Sequence, residues 1–269
     1  VMACMGFLFV ILNFPGAKPD AHMLDVGGVE EQQPQESFLE ILKGSFHHRN
    51  FVIYIFVIFL YGLFTSFALT SLPYFIKNVM EEEAGVQMYI WGGMILGIFL
   101  FLPFWTYFYK KYDVVNTLMA GFLIMGVAVI PLLFVSSLIG AIIVFFLVGV
   151  GLGGFWLAFL PFFGDVMDEM YLVSGKRNTG VYIGIRTFFS RFIIIIQTVV
   201  FIGIHNLTGY IPIQVEQSPE AVFGIRIHAV IIPIIVVLLG CFILWKFYDI
   251  KGEKKKIMVE KLAEWAAEE

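Results

Sequence analysis

The sequence has few charged residues and almost no cysteine. Aspartate, glutamate, lysine and arginine make up 14% of its 269 residues, against about 25% in ordinary soluble domains. No charged residue occurs between positions 138 and 163, whereas a helix on the surface of a soluble protein carries a polar stripe. Cys4 and Cys241 lie in apolar stretches, so no disulfide or metal framework is predicted. These shortages exclude a soluble domain and predict an all-α membrane protein.

Short catalytic motifs are also absent from the sequence. It contains no HExxH, GxSxG, P-loop or CxxC pattern, which are spacings used by zinc hydrolases, serine hydrolases, nucleotide-binding proteins and redox proteins. We therefore expect no enzymatic activity, no bound metal and no cofactor. We also expect no nucleic-acid partner.

Long apolar runs, by contrast, dominate the chain. Six of them reach the ~20 residues that a helix needs to cross the bilayer. They lie near 51–76, 88–109, 115–135, 138–163, 180–204 and 227–247. The 30 phenylalanines and 5 tryptophans suit lipid contact and anchoring at the membrane interface. The sequence thus predicts six transmembrane helices within 51–247 and the lipid bilayer as a partner.

Basic residues mark alternate loops as cytoplasmic. Lysines and arginines concentrate before the first run and after the second, fourth and sixth, at Lys18, Lys43, Arg49, Lys110, Lys111, Lys176, Arg177, Lys246, Lys251, Lys254, Lys255, Lys256 and Lys261. The opposite loops hold few bases and several glutamates. The positive-inside rule therefore places the central loop 15–50 and the tail 248–269 in the cytoplasm. We expect a multi-pass protein of the cell membrane.

The first residues, 1–14, are apolar but too short for a full crossing. They lead into a loop that is predicted to be cytoplasmic, so we interpret them as the end of an earlier transmembrane helix. On this interpretation the chain is the C-terminal part of a longer protein.

Two surface helices are predicted beside the membrane. The end of the segment 15–50 carries apolar residues at helical spacing, namely Phe38, Leu39, Leu42 and Phe46, which is typical of an amphipathic helix on a membrane face. The tail 248–269 predicts a charged helix in contact with a surface. Contact of its lysines with anionic headgroups is the alternative.

The run 180–204 contains two arginines that are costly in lipid. At 100° per residue, one polar face holds Tyr182, Arg186, Ser190 and Gln197, and a second holds Thr187, Arg191 and Thr198. We expect this helix to line a cavity with one face and to pack against polar neighbours with the other. Arg186 is near the cytoplasmic end, and snorkelling to headgroups is its alternative. Arg191 lies deeper and predicts a functional site.

Aromatic and hydroxyl groups supply further candidates. Tyr54 and Tyr61 share a face of the first predicted helix, where they can bind sugar hydroxyls or form hydrogen bonds between helices. Trp156 in the fourth helix can stack on a sugar ring. Just before it, Gly149 and Gly153 form a GxxxG pattern, which allows another helix to approach closely.

The segment 164–180 has the densest charge pattern. Three acids share a helix face, Asp165, Asp168 and Glu169, and the bases Lys176 and Arg177 follow after a Ser-Gly turn. Solvated ion pairing is one interpretation. Acids on a side where the positive-inside rule expects bases favour another, a specific partner that forms a cytoplasmic gate.

The same segment resembles the glycoside–pentoside–hexuronide:cation symporters, the melibiose-permease branch of the major facilitator superfamily. The shared positions are Asp165, Asp168, Glu169, Gly175, Lys176, Arg177 and Gly180. The stretch 209–226 is similar to the loop before helix twelve of that family, through Gly209, Tyr210, Pro212, Glu216, Gln217 and Ser218. The end of the central loop resembles its amphipathic counterpart in the family.

The resemblance implies that 51–247 are helices seven to twelve, the six-helix C-terminal bundle of a transporter, and that 1–14 end helix six. It implies cation-coupled symport of a glycoside or other sugar by alternating access, with Na⁺ or H⁺ as the coupling cation and substrate at midplane between two six-helix halves. The candidate residues on the C-terminal side are Arg191, Arg186, Tyr54, Tyr61, Trp156 and Gln197. The acids that bind cation and sugar in this family lie in N-terminal helices, outside this chain.

Two other functions are compatible with the sequence. The same fold elsewhere carries lysolipids, so the substrate is alternatively a lipid-like or other organic solute. A half-protein without transport activity, with an interaction or regulatory role, is the third interpretation.

Overall fold

The computed structural model describes residues 38–176, 178–212, 214 and 216–268. The described residues from Leu42 onward form one compact unit. The predicted helix end at 1–14 and most of the central loop lie outside the described residues. All regular elements in the described part of the chain are helical, which confirms the predicted all-α class.

Eight α-helices follow one another along the described chain. They are α1 Phe38–Phe46, α2 Arg49–Asn78, α3 Gln87–Ala128, α4 Leu138–Ser174, α5 Thr179–Thr208, α6 Pro219–Arg226, α7 Ile232–Phe247 and α8 Gly252–Glu268. A π-helical turn, Ile227–Ile231, joins α6 to α7. Five continuous helical stretches are long and apolar enough to cross a membrane, and the α6–α7 stretch Pro219–Phe247 is one of them.

One of the five stretches, Ala84–Leu133, has 50 residues, enough for two crossings at ~1.5 Å per residue. Its helix α3 is broken at Asp113, which has φ 79° and ψ 178°. The Asp113 carboxylate accepts hydrogen bonds from the backbone N–H groups of Val115 at 2.8 Å and Asn116 at 3.1 Å, as an N-cap residue does. The predicted helices 88–109 and 115–135 are thus two halves of α3, separated by a single residue.

Contacts at the two ends of the bundle give the path of the chain. At the first end, which we call the tail end, Asn50 of α2 binds Glu169 of α4 and Asp249 just after α7. At the opposite end, which we call the far end, Arg226 of α6 donates to the carbonyl of Leu132 at 2.6 Å, beyond α3. The helices therefore alternate in direction, and the described chain runs six times between the tail end and the far end.

Close backbone packing joins α3 and α4. A Cβ atom at Gly149 would lie 2.0 Å from the carbonyl oxygen of Met94, so only glycine fits there. Further along α3, the indole of Trp105 is 1% exposed and donates to the carbonyl of Val150, the residue after Gly149, at 2.7 Å. The close approach predicted from Gly149 and Gly153 is confirmed.

Helix α5 packs quite differently from the other spanning helices. Only 11% of its most apolar stretch is buried, against 44–56% in the other four spanning stretches. It contacts the rest of the bundle along one face and leaves the remainder open. The run that carries both arginines is therefore the one most in need of a further surface to cover it.

Candidate functional site

Arg186 of α5 points toward the interior of the bundle. Its guanidinium donates to the hydroxyl of Tyr54 on α2 at 3.2 Å and lies 5.9 Å from the ring centre of Phe159 on α4. Tyr54 is fully buried and Arg186 is half-buried. This geometry favours the predicted interior position of Arg186 over snorkelling to headgroups.

Tyr61 and Trp156 form the next contact along α2. The indole N–H of Trp156 donates to the Tyr61 hydroxyl at 2.6 Å. The Tyr61 ring stacks on Phe155, with centroids 4.1 Å apart and planes within 10°. Trp156 itself is 63% exposed. The hydrogen bond to Tyr61 therefore orients the Trp156 indole, while much of the indole surface stays accessible.

A third contact lies further toward the far end. The hydroxyl of Ser66 donates to the side-chain oxygen of Gln197 on α5 at 3.4 Å, and Gln197 is 8% exposed. Together with Tyr54–Arg186 and Tyr61–Trp156, this pair forms what we call the polar ladder. The ladder follows α2 for about 18 Å, since its first and last α2 residues are 12 positions apart.

Arg191 is not part of the polar ladder. It is exposed on α5 and has no hydrogen bond or ion pair with any described residue. Thr187 and Thr198, which share its face, are exposed as well. One predicted face of α5 thus packs against polar groups of α2, and the other is open. The structure brings Tyr54, Arg186, Tyr61, Trp156 and Gln197 into side-chain contacts along α2, but not Arg191.

Charged groups converge at the tail end. Asp165 of α4 binds Lys255 of α8 at 2.6 Å. Glu169 binds Lys254 at 2.6 Å, and Asn50 donates to both Glu169 carboxylate oxygens at 2.8 and 2.9 Å. The partner of these two acids is therefore the C-terminal helix together with the start of α2.

A third acid extends this group, which we call the tail cluster. Asp249 accepts hydrogen bonds from Lys254 and Asn50, both at 2.6 Å, and pairs with Arg49. Trp265 of α8 adds an edge-to-face contact with the Tyr171 ring, at 5.6 Å. Lys254 and Lys255 bind protein carboxylates, which favours the predicted surface contact of the tail over contact of these two lysines with lipid headgroups.

The remaining predicted gate residues lie near the start of α5. Asp168 and Lys176 line one polar pocket together with Asn178 and Tyr182. Asp168 is exposed there and Lys176 is half-buried. Arg177 lies outside the described residues. The gate residues that the sequence grouped together are thus divided between this pocket and the tail cluster.

Comparison with known proteins shows which family the chain belongs to. The sequence matches the profile of a family described as MFS/sugar transport protein, over residues 1–252. The chain belongs to this family. Its members are membrane transporters, so the long apolar helices are those of an integral membrane protein. A search of curated proteins gives no match.

In this transporter, two groups of the tail cluster, Asp249 and Lys254, keep their charges over a wide pH range. Burial alone raises the pKa of Asp249, but hydrogen bonds from Lys254 and Asn50, with the charges of Lys254 and Arg49, outweigh it and lower the pKa below its usual value. Burial likewise lowers the pKa of Lys254, but its bonds to Asp249 and Glu169 outweigh burial and raise it.

These two shifts set a pH window for the tail cluster. The stabilisation from Asp249 is complete above its unfolded pKa of about 4 and is lost as the pH falls through its lowered value. The stabilisation from Lys254 is complete below about pH 10 and is lost as the pH rises through its raised value. Neither of these two groups changes charge between about pH 5 and 8.

Replacing Lys255 by glutamate is expected to release α8 of the transporter from α4. The change places a second carboxylate against Asp165, whose side chain is only 11% exposed. We expect a loss between the ~1 kcal/mol of exposed pairs and the ~3 kcal/mol of buried ones. Faster protease cleavage within 252–268 measures the release. Lys256→Glu is the matched control because Lys256 is exposed. Equal cleavage of both variants would contradict the pairing.

Sequence reasoning missed several residues that the structure brings into contact. They are Asn50, Asp249, Lys254 and Lys255 at the tail end, and Ser71, His205 and His228 at the far end. The sequence did contain one indication of the far-end contact, because His205 and His228 are ionisable residues within apolar stretches. No spacing rule connects them, because the partners are far apart along the chain.

Proposed function

We propose that this chain is one half of a cation-coupled sugar symporter of the melibiose-permease branch, working by alternating access. The observation that carries the proposal is the polar ladder, which presents an open indole, a tyrosine hydroxyl and a guanidinium on one side of α2. The proposed substrate is a glycoside or related sugar, and the proposed coupling cation is Na⁺ or H⁺.

The ladder has the donors and the surface that sugar binding needs. Trp156 offers an exposed aromatic face whose rotation is limited by its bond to Tyr61. Such rigid amphipathic groups dominate binding energy in protein interfaces. Arg186 has five N–H donors, and its guanidinium is held by Tyr54. The donors that remain can bind sugar hydroxyls.

The open face of α5 supports a partner bundle on that side. Arg191 and its two threonine neighbours are exposed on an otherwise apolar helix, and an arginine in the middle of the bilayer costs a few kcal/mol or more. We propose that a second six-helix half covers this face and that Arg191 lies in the water-filled cavity between the halves.

The tail cluster fits a cytoplasmic gate in this scheme. The proposed orientation puts the central loop and the C-terminus in the cytoplasm of a cell-membrane protein. The bonds of the tail cluster link α2, α4 and α8 at that side. Breaking and remaking them would accompany opening and closing of the cavity toward the cytoplasm.

The direct test is uptake of radiolabelled melibiose and methyl thiogalactoside by cells that express the full-length gene product. We expect accumulation that collapses when ionophores remove the cation gradients. Thermal stabilisation by lysolipids but not by sugars would favour the lipid-like substrate instead. Failure of any solute to stabilise the protein or to be taken up would favour the transport-inactive alternative.

Arg191→Ala tests the cavity position of this residue. We expect uptake to fall at least 10-fold, because a desolvated guanidinium that contacts substrate or cation contributes more than ~1.4 kcal/mol. Arg191→Lys should recover part of the activity if the positive charge is what matters. Unchanged uptake by Arg191→Ala, at equal expression, would remove Arg191 from the site.

A further inference from the structure

Two histidines form a direct contact at the far end of the bundle. His205 of α5 and His228 of the π-helical turn face each other with their Nε2 atoms 3.2 Å apart. The Nδ1 atom of His228 lies 2.6 Å from the hydroxyl of Ser71 on α2. His228 is fully buried and Ser71 is 2% exposed. The pair thus joins three spanning segments.

The geometry limits how many protons the pair can hold. Two imidazole nitrogens at hydrogen-bond distance need one proton between them, because a neutral imidazole has one N–H and one acceptor nitrogen. The neutral pair therefore carries two N-bound protons, one of them shared. A third proton is accepted on an Nδ1 atom and leaves the shared bond intact. A fourth would set two N–H groups against each other, so the pair takes up one proton.

Ser71 makes both charge states of His228 possible. A serine hydroxyl can donate to an unprotonated Nδ1 or accept from a protonated one. The 2.6 Å contact is thus satisfied before and after a proton is added. His205 is half-buried, so it connects the buried imidazole to the surface.

Aromatic rings surround the pair and can stabilise its positive charge. The centre of the Phe201 ring lies 4.4 Å from that of His205 and 4.2 Å from that of His228. Tyr210 lies 4.3 Å from His205 and Tyr74 lies 5.2 Å from it. Aromatic rings at such distances can attract a positive charge through their electron-rich faces.

The other ionisable groups nearby are few. Tyr74 faces the pair from α2 and Tyr210 from the loop after α5, while Lys77 of α2 is exposed. Arg226 of α6 donates to carbonyls beyond α3 instead. No carboxylate in the described part of the chain makes a hydrogen bond or ion pair with either imidazole. The pair is therefore isolated from fixed negative charge.

The local backbone also marks this place. His228 lies in the π-helical turn Ile227–Ile231, and π turns inside helices occur frequently at functional sites. The pair connects the same two helices, α2 and α5, that hold the Tyr54–Arg186 and Ser66–Gln197 contacts. A charge added at the pair can thus change the α2–α5 contact on which the polar ladder depends.

We propose that the His205–His228 pair is a proton-binding site that takes up one proton in each transport cycle. This inference rests on the proposed sugar transport and names a proton as an ion that moves with it. The balance is simple: the neutral pair gains one proton on an Nδ1 atom when the site is open to one side, and releases it to the other.

Proton movement during transport tests the site. Purified full-length protein in liposomes is given melibiose, and proton flux is followed with a pH-sensitive dye while radiolabelled uptake is counted. We expect one proton per sugar, and a pH dependence of uptake that is lost when either histidine of the pair is replaced. Asp249 and Lys254 of the tail cluster do not account for a dependence between about pH 5 and 8, because their pKa shifts place their charge changes outside this range.

Variants separate a proton site from a structural contact. His205→Gln and His228→Asn should lose proton flux and the pH dependence, yet keep melibiose exchange across the membrane at equal pH. His47→Gln is the control, since His47 follows α1, is exposed, and its ring contacts the carbonyl of Lys43. Melibiose transport without proton flux in the native protein would overturn this inference and leave the proposed function standing.

A second measurement needs no substrate. Histidine NMR spectra of isotope-labelled full-length protein should show His205 and His228 titrating together, with the uptake of one proton. In His205→Gln the remaining His228 should stay neutral over the same range. Two separate titrations in the native protein, or none, would overturn the proton site. Absence of melibiose exchange with a normal joint titration would instead count against the sugar substrate alone.

Discussion

Gly149→Leu is expected to prevent the bundle from folding stably. Even a Cβ atom at this position would come within 2.0 Å of the Met94 carbonyl oxygen and 3.0 Å of its Cα atom. A backbone group cannot rotate away as a side chain can, so the cost should exceed the ~1–3 kcal/mol typical of overpacked cores. We expect the melting temperature in detergent to fall by about 10 °C or more, measured by size exclusion after heating.

Gly164→Leu is the control for this substitution. Gly164 lies in the same helix, α4, but a Cβ atom there meets nothing within 4 Å. Both changes improve helix propensity by about 1 kcal/mol, so a difference between them reports packing alone. A Gly149→Leu protein as stable as the Gly164→Leu protein would show that α3 and α4 are not packed backbone to backbone.

Trp156→Ala is expected to lower sugar uptake by roughly 30-fold. The change removes an exposed aromatic surface and the donor to the Tyr61 hydroxyl. Truncation of a rigid aromatic anchor in a binding site costs about 2 kcal/mol or more, which is close to 30-fold in affinity. Concentration-dependent uptake measures the effect, and we expect the apparent affinity for melibiose to fall.

The matched control is Trp245→Ala. Trp245 of α7 is 67% exposed, close to the 63% of Trp156, and it lies away from the polar ladder. Loss of lipid contact should affect both variants alike, so only a sugar-binding role predicts a selective effect at Trp156. Trp156→Phe should be intermediate, since it keeps a ring and loses the N–H. Equal uptake by Trp156→Ala and Trp245→Ala would contradict the proposed role of Trp156.

The positions of the crossings could be predicted because membrane insertion imposes a length and a composition that show in the sequence. The exact ends could not. The second and third runs suggested a loop around 110–114, whereas the chain needs only Asp113 to change direction. Capping by one carboxylate with a left-handed φ is a local compensation that hydropathy does not record.

The candidate site shows the same division. Helical periodicity placed Arg186 and Gln197 on one face of α5 and Tyr54 and Tyr61 on one face of α2. It could not say that these two faces meet, because contacts such as Arg186–Tyr54 join residues 132 positions apart. The pairing of Lys255 with Asp165 was missed for a similar reason. The tail contains several lysines, and the sequence does not show which of them lie beside an acid of α4 in the folded protein.

The single-residue break at Asp113 has a mechanical consequence. Because a single residue connects the two halves of α3, they cannot move far relative to each other. If the half before Asp113 tilts, the half after it must move as well. The glycine contacts with α4 add a third member that cannot slide independently. Both halves of α3 and helix α4 should therefore shift as one rigid body.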